Sequence, residues 1–468
     1  MKKILILGAG IYQVPLIQTA KRMGLYTIVA SIPGNYPGFA LADKVYYENT
    51  VDYEKIIEIA RDEKVDGVVT AGTDVAVITV GAVCDALGLR GLSAEAAKIA
   101  SDKSLMKEKY EEFGVSTARF RRINVDDEDY ADKLAGLEFP LIFKSVDSSG
   151  SRGITRVDST DEFAAARENV LANTRSDNYI VEEFIEGDEF GAQAFVQDGE
   201  IEFILPHGDY VFHGDTGVPI GHYAPFDVSD DAVEEIRLEL GKAIRSMKLD
   251  NCAINADFIM KDGKAYVLEI GGRSGATCLA ELTSIYYGFD YYEKILRVAL
   301  GEHVDFSCAK DERGEALLTP NACMLLQADK TGTIQKEWYE APDGETYAVA
   351  AETYVVGTNA AENGAAETDT GETDAAKTNT AETDTGDPGE NSTADTTDHS
   401  TTDHTAHVPN TGDPDIVDVQ FDYRPGDSVR LFHVGPDRIG HVIAKGHSLD
   451  AAIANMNQAL ENVHIEIE

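Results

Sequence analysis

The first hundred residues alternate short apolar runs with amphipathic stretches, and this alternation confines the chain to a narrow set of folds. KILILGAG from Lys3, YTIVAS from Tyr26 and DGVVTAG from Asp66 read as strands. PLIQTAKRMG from Pro15, DYEKIIEIARDEK from Asp52 and VAVITVGAVCDALGL from Val75 read as helices. Strands that alternate with helices imply a parallel sheet covered on both faces, so a Rossmann-like domain is expected over residues 1–100. Its first turn carries Gly8-Ala9-Gly10, but Gln13 stands where a dinucleotide fingerprint needs a third glycine. Strand two ends in Ser31 rather than a ribose-binding acid, which argues for a structural turn beside a substrate cleft and against NAD.

At 468 residues the chain exceeds one core and implies several domains. Its formal charge of -43 would repel phosphate backbones, so neither nucleic acid nor an anionic membrane is an expected partner. Part of that charge is local. Between Gly357 and Asp415 stand fourteen Asp and Glu against one Lys, in a background of Ala, Thr, Asn and Gly with almost no large apolar residue. Such a stretch cannot bury a core, and AETDTG recurs at 366–371 and 381–386, so a disordered acidic low-complexity insert is expected over 357–415. No apolar run approaches the ~18 residues that span a bilayer. The short apolar run at the N-terminus passes straight into a strand-turn-helix pattern without a cleavage site. Five cysteines without CxxC spacing read as core thiols rather than a disulfide or zinc framework. A cytoplasmic protein is the expectation.

The chemistry lies between 101 and 305. NADFIM and AYVLEI flank Lys261-Asp262-Gly263-Lys264, and Asp-Gly between apolar runs signals a hairpin. Folded so, Asp257 and Glu269 can face each other across neighbouring strands, and a hard divalent cation relieves the repulsion between such carboxylates. Upstream, a strand ending at Lys144 runs into Ser148-Ser149-Gly150-Ser151-Arg152-Gly153, then a strand from Ile154. A small-residue loop between strands can offer backbone N–H groups to polyphosphate while Lys144 and Arg152 supply charge. It is not a Walker A loop. YIVEEFIEGDEF follows, an apolar strand edge able to present backbone donors and acceptors to adenine, with a carboxylate further on for ribose. Of His207, His213 and His222, His213 in His213-Gly214-Asp215 is the candidate on the catalytic side, and the others read as surface loop residues.

Asp102-Lys103, Lys144 with its loop, Glu182-Glu183-Phe184-Ile185 with Glu189, then Asp257, Glu269 and Arg273, taken in this order, resemble the ATP-grasp superfamily. The likeness is to the branch of biotin carboxylase, the carbamoyl phosphate synthetase large chain and the amino-acid ligases. It spans residues 1 to about 305, and GHVIAKGHSLDAAIANMNQAL is similar to the C-terminal subdomain of those proteins. The resemblance implies a mixed α/β and α+β chain. A Rossmann-like domain (1–100) precedes an ATP-grasp domain (101–305), divided into a lid-bearing part (101–180) and a metal-binding part (181–305). A small α+β C-terminal subdomain (306–356 and 416–468) carries the insert.

By position, the resemblance assigns Lys103 and Lys144 to the α- and β-phosphates and residues 148–154 to the loop over the γ-phosphate. Glu182, Glu183, Phe184 and Ile185 fall on the adenine hinge, and Glu189 on ribose. Asp257 and Glu269 are assigned to Mg²⁺ or Mn²⁺, and Arg273 to the acyl phosphate or the acceptor carboxylate. One departure stands out: the family's Glu-x-Asn-x-Arg is Glu269-Ile270-Gly271-Gly272-Arg273 here, so the third metal contact is missing unless water or Asn255 supplies it. The implied activity is an ATP- and magnesium-dependent ligase that activates a small-molecule carboxylate as an acyl phosphate for attack by an amine, releasing ADP, in a homodimer. The alternatives are a bicarbonate-activating, carbamoyl-phosphate-synthase-like enzyme and a non-catalytic ATP-binding scaffold. A single ATP-grasp unit and the lack of an Ala-Met-Lys-Met biotin site argue against the first.

Overall fold

A computed structural model describes residues 1–147, 152–212, 217–311, 313–341, 346–348, 406–407 and 411–468. Ser148, Ser149, Gly150, Ser151, His213 and the expected insert, except 406–407 and 411–415, lie outside the described residues.

The N-terminal strands β1 (Lys3–Leu7), β2 (Tyr26–Ser31), β3 (Lys44–Tyr47) and β4 (Gly67–Val69) pair in parallel in the order β3-β2-β1-β4. Alternate residues of β1 enter different cores, Ile4 and Ile6 one and Leu5 and Leu7 the other. The sheet is thus covered on both faces, as its unbroken apolar runs demand. At the first turn Gly8 takes a φ of 100° and Gln13 occupies the space beside it. Gln13 Nε2 donates to Ala71 O at 2.6 Å and its Oε1 accepts from Gly10 N at 2.9 Å, so a buried side chain fills the turn.

Next come β5 (Phe120–Asn124), β6 (Leu141–Ser145), β7 (Ile154–Val157) and β8 (Asn178–Glu183), an antiparallel sheet of order β5-β8-β6-β7. Phe143, Phe163 and Tyr179 pack beneath it.

The largest sheet collects β9 (Asp188–Gln197), β10 (Glu200–Val211), β11 (Pro219–Ala224), β12 (Cys252–Lys261), β13 (Lys264–Gly271) and β14 (Asn321–Gln327). β15 (Gly332–Glu340), β16 (Thr346–Ala348), β19 (Ser428–Val429) and β21 (Val463–Ile467) form a separate four-stranded sheet. β17 (Ala406–His407), β18 (Ile416–Phe421) and β20 (Arg438–Lys445) continue the large one, whose order is β13-β12-β9-β10-β11-β14-β20-β18-β17. Strands from the two C-terminal segments therefore share a continuous hydrogen-bonded sheet with the strands that carry the chemistry. Among the described residues no helix is long and apolar enough to cross a membrane.

The β12–β13 hairpin turns on Asp262 and Gly263, both left-handed with φ of 51° and 75°, the geometry that an Asp-Gly two-residue turn provides. Lys261 faces Lys264, and a register shift between Asp257 and Phe258 sets Asp257 opposite Glu269. A bulge of this kind re-aims a side chain without ending the ladder.

Candidate active site

Three elements bring opposite charges together around that hairpin. Asp102 starts the helix Lys103–Phe113 by accepting hydrogen bonds from Ser104 N at 2.8 Å and Leu105 N at 3.2 Å. Lys103 thereby sits in the first turn, its Nζ 2.8 Å from Glu269 Oε1. Lys107, one turn further on and fully buried, lies 3.1 Å from Glu182 Oε1, and Lys144 of β6 donates to Glu182 Oε2 at 2.7 Å. Burial alone would raise the Glu182 carboxyl, but the two lysines more than offset it and hold the group at about 2. Lys107 is pushed down by burial, against the pull of Glu182.

Asp257 behaves in the opposite way. Burial and then the facing Glu269 carboxylate push it up to about 7, with Asp209 and Glu189 adding to the effect. Among the described residues Asp257 has no ion-pair partner within 4 Å; an opposed acid pair of this kind fits a hard divalent cation, and Asp257 and Glu269 are the residues that would hold it. Beside them Arg273 grips Asp74 with two parallel hydrogen bonds, Nε to Oδ1 at 2.8 Å and Nη2 to Oδ2 at 2.7 Å. Burial works against the Asp74 charge, but Arg273 and Lys103 hold its carboxyl below the usual range.

Asp74 also accounts for the glycine at 271. A Cβ on Gly271 would lie 2.9 Å from Asp74 Oδ1, so the missing side chain leaves room for this carboxylate. Gly271→Asn should therefore separate Asp74 from Arg273 and destabilise the protein by roughly 1–3 kcal/mol. In denaturant titrations Asp74→Gly should be less harmful on the Gly271→Asn background than on the parent; additive losses would refute the steric account.

A second cluster adjoins Asp257. His207 on β10 and His222 on β11, two residues expected on surface loops, are both buried because their strands lie inside the large sheet. Each presents Nδ1 to the same Asp209 oxygen, at 2.9 and 2.7 Å. Burial would raise Asp209, but His222 and His207 bring it far below the carboxylate range. His207 Nε2 in turn lies 3.5 Å from Gln193 Nε2. Gly191 is required here, since a Cβ would meet the His207 ring at 2.2 Å.

The other expected residues are more dispersed. Glu183 binds Arg119 Nη1 at 2.8 Å and accepts from Glu138 N at 2.9 Å. Phe184 is partly exposed under the Arg156 guanidinium, 4.5 Å from its ring centre, and its N–H donates to Pro140 O. Ile185 is half-buried and Glu189 is exposed at the start of β9. Gly153 has a φ of 68° and Arg152 precedes it, between β6 and β7. Asp74, Lys107 and Asp209 were not anticipated. Lys107 had a usable signal, since a residue four after Lys103 lies on the same helix face.

A parallel-sheet domain, an antiparallel four-stranded sheet and a hairpin of opposed acids with Lys103 and Arg273 beside it frame the site, and residues 137–281 match the ATP-grasp domain model, so the chain carries an ATP-grasp domain. This class consists of ATP-dependent ligases that use Mg²⁺, and the chain is such an enzyme. Within the class, residues 410–468 match the L-amino acid ligase C-terminal domain 2. Alanine–anticapsin ligase of Bacillus subtilis is 24% identical over 386 residues, covering 72% of this chain and 80% of that protein. The solved phosphoribosylglycinamide synthetase from Anaerococcus prevotii is 29% identical with a TM-score of 0.73, and each chain is covered in full. The L-amino acid ligase from Bacillus licheniformis shares the fold at 17% identity and TM-score 0.69, covering 100% of this chain and 99% of its own.

Proposed function

We propose that this ADP-forming ligase joins a carboxylate to an amine, with an amino acid on at least one side of the new bond. The observation that carries the reading is the Asp257–Glu269 pair, set face to face with Lys103 against Glu269 and Arg273 alongside. Magnesium held by the two carboxylates would offset charge on the ATP phosphates. Lys103 and Lys144 bind those phosphates, and each must leave its present carboxylate partner to do so. Glu182, Glu183, Phe184 and Ile185 border the adenine and Glu189 the ribose. The substrate carboxylate attacks the γ-phosphate, and Arg273, steered by Asp74, holds the acyl phosphate that results. His222, fixed by Asp209, lies on the same side of the sheet as Asp257. Bound amine then displaces phosphate. A cytoplasmic homodimer belongs to the same reading, and light scattering on the purified protein tests the dimer.

The deciding experiment measures ADP release across all pairs of the twenty amino acids, with bicarbonate and simple carboxylates as further entries. Amide product together with ADP is the expected result. AMP and pyrophosphate, or no turnover with any pair, would overturn the reading, and ADP release that depends on bicarbonate would replace it with carboxyphosphate chemistry.

A further inference from the structure

A small cavity of about 130 Å³ lies between the N-terminal domain, the loop that follows Arg273 and strands β18 and β20. Its wall is linked to the charged cluster through one residue. Gly275 lines the cavity and donates its N–H to Gln193 Oε1 at 2.9 Å, while Gln193 Nε2 donates to Asn255 Oδ1 at 2.5 Å. Asn255 precedes Asp257 by two positions on β12, which puts the two on the same face. Gly275 has no room for a side chain, because a Cβ would lie 2.8 Å from Asn255 Oδ1 and 2.9 Å from Gln193 Nε2. Gly275, Ala276 and Thr277, which follow Arg273 closely along the chain, line the cavity.

The charges around the cavity do not balance. Arg438 is taken up by Asp422, Nε to Oδ2 at 2.7 Å and Nη2 to Oδ1 at 3.3 Å, with Tyr12 over its guanidinium. His441 is paired with Asp418, Nε2 to Oδ2 at 2.9 Å. Glu281 has no cation within 4 Å among the described residues; it accepts from the Tyr292 hydroxyl, at 3.3 Å from each oxygen, and from its own backbone N–H. Burial pushes its carboxyl up, and its own backbone N–H, then the more distant His441 and Arg438, draw it back only in part. A carboxylate of this kind, aimed into an enclosed space and lacking a counter-charge, is completed by a cation of the cavity's size.

We propose that Glu281 binds the ammonium group of the amine substrate and takes its proton, making this cavity the acceptor-amine subsite. The inference rests on the ligase reading above and adds to it a base and the class of nucleophile, a compact primary amine that arrives protonated. One ammonium N–H bond breaks as its proton passes to the Glu281 carboxylate. The freed nitrogen pair forms a bond to the acyl carbon, the bond from that carbon to the phosphate oxygen breaks, and phosphate leaves with the electron pair. Phosphate takes the second nitrogen proton. Tyr292, Tyr12, Cys278, Asp418, His441 and Arg438 are the titratable and charged groups facing Glu281 from the neighbouring elements.

The test uses two nucleophiles with the full chain, ATP and each of the twenty amino acids as the carboxylate. Hydroxylamine is uncharged near neutral pH and captures an acyl phosphate without an ammonium site, whereas an amino-acid amine needs one. In Glu281→Gln, kcat/KM for the amino-acid amine should fall by roughly 10²-fold, the usual contribution of a positioned base, while hydroxamate formation stays within about threefold of the parent. The parent profile of kcat/KM against pH should show an acidic limb above the ordinary carboxylate range that disappears in Glu281→Gln. Glu281→Asp should retain the limb at a reduced rate, which separates a chemical role from a structural one. Equal loss with both nucleophiles, or an unchanged amine kcat/KM, would overturn the assignment of Glu281. A parent enzyme that forms no hydroxamate from any amino acid would instead overturn the ligase reading beneath it.

Discussion

Asp257→Asn should give a protein that is more stable than the parent without magnesium at pH 8, yet turns over ATP roughly 10³-fold more slowly, the scale of losing one charge-stabilising element in phosphoryl transfer. The two effects have one origin. Asp257 rises from 3.8 in a free carboxyl to about 7 in the fold, first through burial and next through Glu269. A group raised on folding contributes stability in full below its unfolded value and loses it as pH climbs through the folded value. The parent without metal therefore weakens between about pH 4 and pH 7, and the neutral amide does not. The full shift corresponds to about 4 kcal/mol, and partial solvent screening reduces this to about 1–2 kcal/mol. Urea titrations in chelator should show the gap between variant and parent widening from pH 5 to pH 8, and a gap that stays constant would refute the charge argument. Saturating magnesium should stabilise the parent and leave Asp257→Asn unmoved.

That prediction rests on a part of the site that was legible in the sequence. Asp262-Gly263 dictates a tight turn, the turn dictates the pairing of β12 with β13, and the pairing brings Asp257 to Glu269. Each step is local, within fifteen residues. The same holds for the N-terminal sheet, where unbroken apolar runs between helices leave little choice of topology. What was not legible is the long-range matching of charges. Asp74 meets Arg273 across 199 positions, and nothing near TAGTDVAV distinguishes an acid that will be buried against a guanidinium from one at the end of a strand. His207 and His222 looked like loop residues because their segment is interrupted by Pro and Gly. Their burial follows from where β10 and β11 fall in a nine-stranded sheet, a fact of tertiary structure. Gly271 looked like a missing ligand; the fold shows the space it leaves beside Asp74 Oδ1. An absent side chain can be interpreted only once its neighbour is known.

Glu182→Gln should be the most damaging single change to stability, because one carboxylate serves two lysines. Lys107 and Glu182 are both buried, and Lys144 is largely so. Removing the shared anion leaves two like charges in a region of low dielectric, and breaking a buried pair in this way costs about 3–5 kcal/mol. The pH dependence separates this from a packing defect. In the parent, Glu182 falls from 4.5 to about 2 on folding, so its contribution is complete above pH 4.5 and disappears as pH falls through 2. The shift alone corresponds to about 3 kcal/mol, in line with the first figure. In Glu182→Gln the stress passes to Lys107, which burial already pushes below its free value and which then lacks its main counter-charge. A lysine lowered on folding weakens the fold at every pH where the unfolded chain keeps the proton and the folded chain must give it up or bury it. The penalty should therefore be smaller at pH 10 than at pH 6. Lys107→Met on the Glu182→Gln background should recover about half the loss, since one of the two stranded cations is then gone. Denaturant titrations at the two pH values decide the matter. A penalty independent of pH, with no recovery from Lys107→Met, would mean that Glu182 acts through shape, and that Lys144 is held for phosphate by something other than this shared charge.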